Sequence, residues 1–101
     1  MVYSGLVIVV GLDKLDTFAK KYAPSRATLA RWLTLTREAN WKNLVEVQKT
    51  FRDVDEGGGQ VVFNVGGNKY RLIATVTYPV ALVQITWVLT HADYDRRRWK
   101  K

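Results

Sequence analysis

Residues 60–78 read Gln60-Val61-Val62-Phe63-Asn64-Val65-Gly66-Gly67-Asn68-Lys69-Tyr70-Arg71-Leu72-Ile73-Ala74-Thr75-Val76-Thr77-Tyr78. The hydrophobic period here is two, with Val61, Phe63 and Val65 on one face of a first strand. Gly66-Gly67-Asn68 is a tight-turn signal, because glycine and asparagine tolerate positive φ. Lys69–Tyr78 then predicts a second strand. Tyr70, Leu72, Ala74 and Val76 share one face; Lys69, Arg71, Ile73, Thr75 and Thr77 share the other. Pro79 interrupts, and Leu82–Thr90 predicts a third strand.

Upstream the pattern differs. Leu6–Val10 is short, β-branched and bounded by Gly5 and Gly11, as a buried strand would be. Leu15, Phe18, Ala19 and Tyr22 recur at helical spacing. Pro24-Ser25 ends that helix, with Ser25 as the next N-cap, and Arg26–Ala39 predicts a second helix. Asn43 with Glu46 three residues on resembles a capping box, starting a short third helix through about Phe51. Asp53–Gly59, acidic then glycine-rich, reads as a loop. The tail from His91 makes a last helical turn or stays irregular. The expectation is a single α+β domain over residues 1–101: a mostly antiparallel four-stranded sheet with the N-terminal helices packed on one face. The partner of the first strand stays open.

The chain has 101 residues, enough for one modest core. Its net charge of +7 favours a polyanionic partner. The charge is uneven: residues 57–101 carry seven Lys/Arg and two Asp, residues 1–56 nine Lys/Arg and seven Asp/Glu. Residues 96–101 form a basic tail that reads as solvated and frayed. With no cysteine, disulfide and thiol chemistry are excluded, and a single histidine argues against a zinc site. No cofactor is expected. The longest N-terminal apolar run, Leu6–Val10, is too short to span a bilayer and lacks a basic leader, so no membrane role and a cytoplasmic location are expected.

Few residues are candidates for chemistry. An arginine inside an apolar strand is costly to bury unpaired. Arg71 is therefore either a snorkelling or acid-paired structural residue, or a guanidinium held by the sheet to grip phosphate. His91 has an ordinary pKa of about 6.5, suited to proton transfer near neutrality; its bland reading is a strand-end or capping residue. Tyr94 either stacks on a base or packs in the core. Asp93 and Asp95 fit a helix start. Trp32 and Trp41 fit helical packing, Trp87 fits a sheet core, and Trp99 lies in the cationic tail. Gly57-Gly58-Gly59 lacks the Lys and hydroxyl residue of a P-loop.

Val62–Leu72, Leu89-Thr90-His91-Ala92-Asp93-Tyr94-Asp95 and Ala39-Asn40-Trp41-Lys42-Asn43 together resemble, in order and spacing, the signatures of HigB-family toxins of the RelE superfamily. The similarity extends over roughly residues 12–99. It implies a RelE-like fold and an mRNA endonuclease that works without metal, on messages engaged by the ribosome. It also implies a HigA-type helix-turn-helix antitoxin partner. By the resemblance, Arg71 binds the scissile phosphate, His91 exchanges protons and Tyr94 positions or stacks the nucleotide. Asn68, Lys69, Asp95, Arg96, Arg97 and Arg98 complete the expected RNA-binding set. Tyr94, Asp95 and Lys69 are unranked candidates for the second acid/base group. One departure stands out: family members often carry a basic residue where this chain has Thr86. That motivates an alternative, a RelE-like module that binds RNA and antitoxin without cutting. The turn at Tyr78–Leu82 leaves strand register open, so the sequence does not fix whether Arg71 and His91 face the same side.

Overall fold

A computed structural model describes residues 7–96. Among them the elements are β1 (Ile8–Val10), α1 (Leu12–Lys21), α2 (Arg26–Glu38), α3 (Leu44–Thr50), β2 (Val54–Gly57), β3 (Gln60–Val65), β4 (Tyr70–Thr77), β5 (Leu82–Thr90) and α4 (His91–Asp95), with 3-10 turns at Ala23–Ser25 and Tyr78–Val80. The strands form one five-stranded sheet in the order β1-β5-β4-β3-β2. The α+β reading holds, but the sheet is mixed and has five strands, not four. β1 pairs in parallel with β5; the other pairings are antiparallel.

Three expectations are corrected here. The Asp53–Gly59 loop contains β2, which closes a hairpin on β3. Val54 supplies its inward side chain opposite Phe63, while Asp55, Glu56 and Gly57 are exposed, so an edge strand with one buried residue shows no alternation. β1 is also an edge strand: only Val9 is buried, and Ile8 and Val10 are exposed. Ser25 is no side-chain cap either. Its hydroxyl donates to the Tyr22 carbonyl, inside the turn that joins α1 to α2. The Asn43 cap holds: its Oδ1 accepts from the Glu46 amide, and the Glu46 carboxylate accepts from the amide of Lys42.

The three N-terminal helices cover one face of the sheet. Leu15, Phe18 and Ala19 of α1, Leu29 and Trp32 of α2 and Val47 of α3 meet Phe63, Leu72, Val83 and Ile85 in one buried cluster. Phe51, Trp32 and Trp41 surround Phe63 with ring centroids 5.3–6.2 Å away, spacing at which offset and edge contacts are favourable. Trp41 is anchored by its indole N–H donating to Thr50 Oγ1. It packs from the link between α2 and α3 rather than from a helix.

β5 changes face partway along. Val83 and Ile85 point into the helical core. Ile85 lies opposite Ala74 and Trp87 opposite Ile73, so Thr86 is an extra residue, a β-bulge. After it the parity reverses. Val88, opposite Leu72, faces the core; Trp87 and Leu89 face away from the helices. The expected place of Trp87 in the sheet core is therefore wrong, and the ring is 43% exposed. The Thr86 hydroxyl donates to the Ile73 carbonyl and so ties the bulge to β4.

Candidate active site

Register decides which side chains meet on the face away from the helices. Asn64, Arg71 and Leu89 form one cross-strand row, and Asp55, Val62, Ile73 and Trp87 the next. At the end of these rows the chain turns into α4. Thr90 caps that turn, its Oγ1 accepting from the Asp93 amide, and the His91 amide donates to the Lys69 carbonyl. The single turn places His91, Tyr94 and Asp95 at helical spacing on one side. Opposite them, Gly66, Gly67 and Asn68 all have positive φ and return β3 into β4.

These constraints bring Arg71 and His91 together. Arg71 is only 6% exposed. Its Nη1 donates to the carbonyls of Asn68 and Tyr70, at 3.1 and 3.2 Å, and its Nη2 lies 2.7 Å from His91 Nδ1. On the other side of the imidazole, Nε2 is 3.3 Å from the Asp95 carboxylate. The guanidinium carbon sits 5.4 Å from the centroid of the Tyr94 ring, within cation–π range. Asp55 lies on the same face but in the next row, and no ion pair joins any acid to Arg71 among the described residues.

The bonding fixes the tautomer. A guanidinium only donates, so Nδ1 of His91 accepts and Nε2 carries the proton, with the Asp95 carboxylate 3.3 Å away. The result is a line, Arg71–His91–Asp95, in which a buried cation is bonded only to neutral acceptors. A guanidinium so placed, without an acidic partner among the described residues, is chemically able to take a phosphate.

The remaining expected residues fall as follows. Asn68 contributes its backbone carbonyl to Arg71. Lys69 is exposed at the mouth of the turn. Asp95 is brought to His91. Arg96 is exposed and paired with Asp93 at 3.2 Å. Arg97 and Arg98, with the rest of the basic tail, lie outside the described residues. Thr86 is occupied by the bulge, donating to Ile73 and accepting from Gln60 Nε2 at 3.4 Å. A cleft of about 570 Å³ runs between α1 and the edge of β5, bordered by Lys14, Lys21, Tyr22, Trp87 and Leu89.

No described helix is long and apolar enough to cross a membrane, and no curated protein matches the chain. A family model does match, over residues 25–97: HigB_toxin, the RelE-like toxic component of a toxin-antitoxin system. The match takes in β2 to β5, all of α4 and every member of the Arg71–His91–Asp95 line, and the chain therefore belongs to the HigB toxin family.

Proposed function

We propose that this toxin is an endoribonuclease of the cytoplasm that cleaves mRNA on the ribosome, without a metal ion, and is silenced by a HigA-type helix-turn-helix antitoxin. The observation that carries the reading is the buried guanidinium of Arg71 bonded to His91 Nδ1, with Asp95 behind the ring. Transesterification of RNA needs cations at the phosphate, an acceptor for the 2′-hydroxyl proton and a donor to the 5′-oxygen.

Arg71 binds the scissile phosphate, which draws it from His91 and exposes the Nδ1 lone pair. His91 takes the 2′-hydroxyl proton there, and Asp95 stabilises the imidazolium through Nε2. The 2′-oxygen closes on phosphorus, and the bond to the 5′-oxygen breaks. The products are a 2′,3′-cyclic phosphate and a 5′-hydroxyl. Asp95 is committed to the far nitrogen, so the proton for the 5′-oxygen comes from Tyr94 or Lys69. Asn68 and Lys69, with Arg96, Arg97 and Arg98, hold the flanking backbone.

The deciding assay mixes purified chain, free of antitoxin, with mRNA-programmed ribosomes and with naked mRNA. Wild type is expected to cut the ribosome-bound message and His91→Ala to lose the cut. Cutting of naked RNA would remove the ribosome from the reading. Folded wild type that cuts neither would favour the module that binds without cutting.

A further inference from the structure

Among the large apolar side chains exposed in the described residues, Trp87 is the one aromatic ring. Its exposure is a consequence of the bulge. Had β5 kept the alternation of Val83 and Ile85, position 87 would point at the helices, and the extra residue Thr86 instead turns it to the face that carries Arg71. Bulges recur beside active sites, where they re-aim a side chain. This one is held by the Thr86 hydroxyl on the Ile73 carbonyl.

Trp87 is the diagonal neighbour of Arg71: Arg71 pairs with Leu89, and Trp87 lies one row along, opposite Ile73. Diagonal neighbours of this kind are about 7–8 Å apart, within reach of aromatic and long side chains. Residue 87 also contributes to the cleft between α1 and the edge of β5, which Lys14 and Lys21 line as well. An exposed indole beside a phosphate-gripping arginine and a lysine-lined cleft is the arrangement that single-stranded nucleic acid uses, with bases on aromatic faces and the backbone on cations.

We infer that Trp87 is a stacking platform for the nucleobase next to the scissile phosphate. This rests on the ribonuclease reading and names a subsite for it: one unpaired base, held by its π-face and hence with little sequence preference.

The test measures binding of a short 2′-O-methyl oligoribonucleotide, which lacks the nucleophile, and of the same oligonucleotide with an abasic site moved along it. Trp87→Ala is expected to weaken binding roughly 5- to 150-fold, the range that base–aromatic stacking of about 1–3 kcal/mol gives on alanine substitution. Trp87→Tyr should restore most of it. The salt dependence should keep its slope, since no phosphate contact is removed. At one position the abasic site should weaken wild type by a similar factor and weaken Trp87→Ala no further. Additive losses, or equal affinities of wild type and Trp87→Ala, would overturn the stacking role alone. The latter result in a variant that has also lost affinity for the antitoxin would assign the ring to a protein interface. Wild type that binds the oligonucleotide neither free nor held as message in the ribosome would overturn the ribonuclease reading with it.

Discussion

Replacing Arg71 by lysine keeps the positive charge and removes the planar fork. Two terminal nitrogens of Arg71 make three bonds at once, to Asn68 O, Tyr70 O and His91 Nδ1. A single ammonium stands in for one of the two nitrogens and keeps at most the bonds of that one. One or two bonds from a charged donor are lost, each worth about 1.5–3 kcal/mol. Water replaces them poorly, because the site is only 6% exposed. The expected cost is on the order of 3 kcal/mol. A domain of this size holds about 5–15 kcal/mol in all, so the variant folds. The catalytic cost is separate. Losing one preorganised donor to a developing oxyanion slows a reaction by about 10²–10³, so Arg71→Lys should cut RNA two to three orders of magnitude more slowly. Urea unfolding reads the first effect and single-turnover cleavage the second. Cleavage within about fivefold of wild type, from a variant destabilised as expected, would refute the role of the fork and leave charge alone as the requirement.

Asp95→Asn keeps an acceptor for His91 Nε2 but loses the charge. The pair is about half exposed, so its worth is at most about 1 kcal/mol, and kcat should fall about fivefold with KM unchanged; a change in KM alone would return Asp95 to RNA binding. Gly11→Ala places a Cβ 2.7 Å from the Ile85 carbonyl at φ +88°, and should lower stability by about 2 kcal/mol or more while the folded fraction cuts normally; an unchanged urea midpoint would count against the packing of β1 on β5. Burial first, and then the charge of Glu56, raises the pKa of Tyr78 above its usual 10.0. The folded state thus resists ionising this phenol, and stability should be flat below about pH 10 and fall as pH climbs through the raised value. Tyr78→Phe should remove that alkaline loss, and it also deletes a buried hydroxyl without a partner. A variant with the same alkaline decline as wild type would show that other groups cause it.

Much of this was legible where chemistry is local. Leu82–Thr90 and Gln60–Val65 were readable to the residue, because β-branched runs ended at Pro, Gly and Asn. Asn43 announced its own cap. What was not legible depended on partners distant in the chain. β2 carries one inward residue, and its acidic, glycine-rich composition reads as loop. The parallel pairing of β1 joins Val9 to Val83, and no local pattern specifies such a contact. The bulge was invisible for a related reason: Thr86 is an ordinary strand residue, and only the mismatch with β4 shows that it is extra. Trp87 was misplaced as a direct result. Arg71 and His91 were each recognisable, but their 2.7 Å contact needed a register that the Tyr78–Leu82 turn did not reveal.

The pairing of β1 with β5 also bears on how the chain comes off the ribosome. β1 is made early, yet its one partner strand among the described residues, β5, follows the helices and the other strands in the chain. The order of synthesis thus withholds the closing strand of the sheet. His91, Tyr94 and Asp95 follow β5 directly, so the groups that would attack a message are the last of the described residues to leave the exit tunnel. Such a long-range closure is a slow step. A copy whose β5 is still inside the ribosome therefore has neither a closed sheet nor the Arg71–His91–Asp95 line.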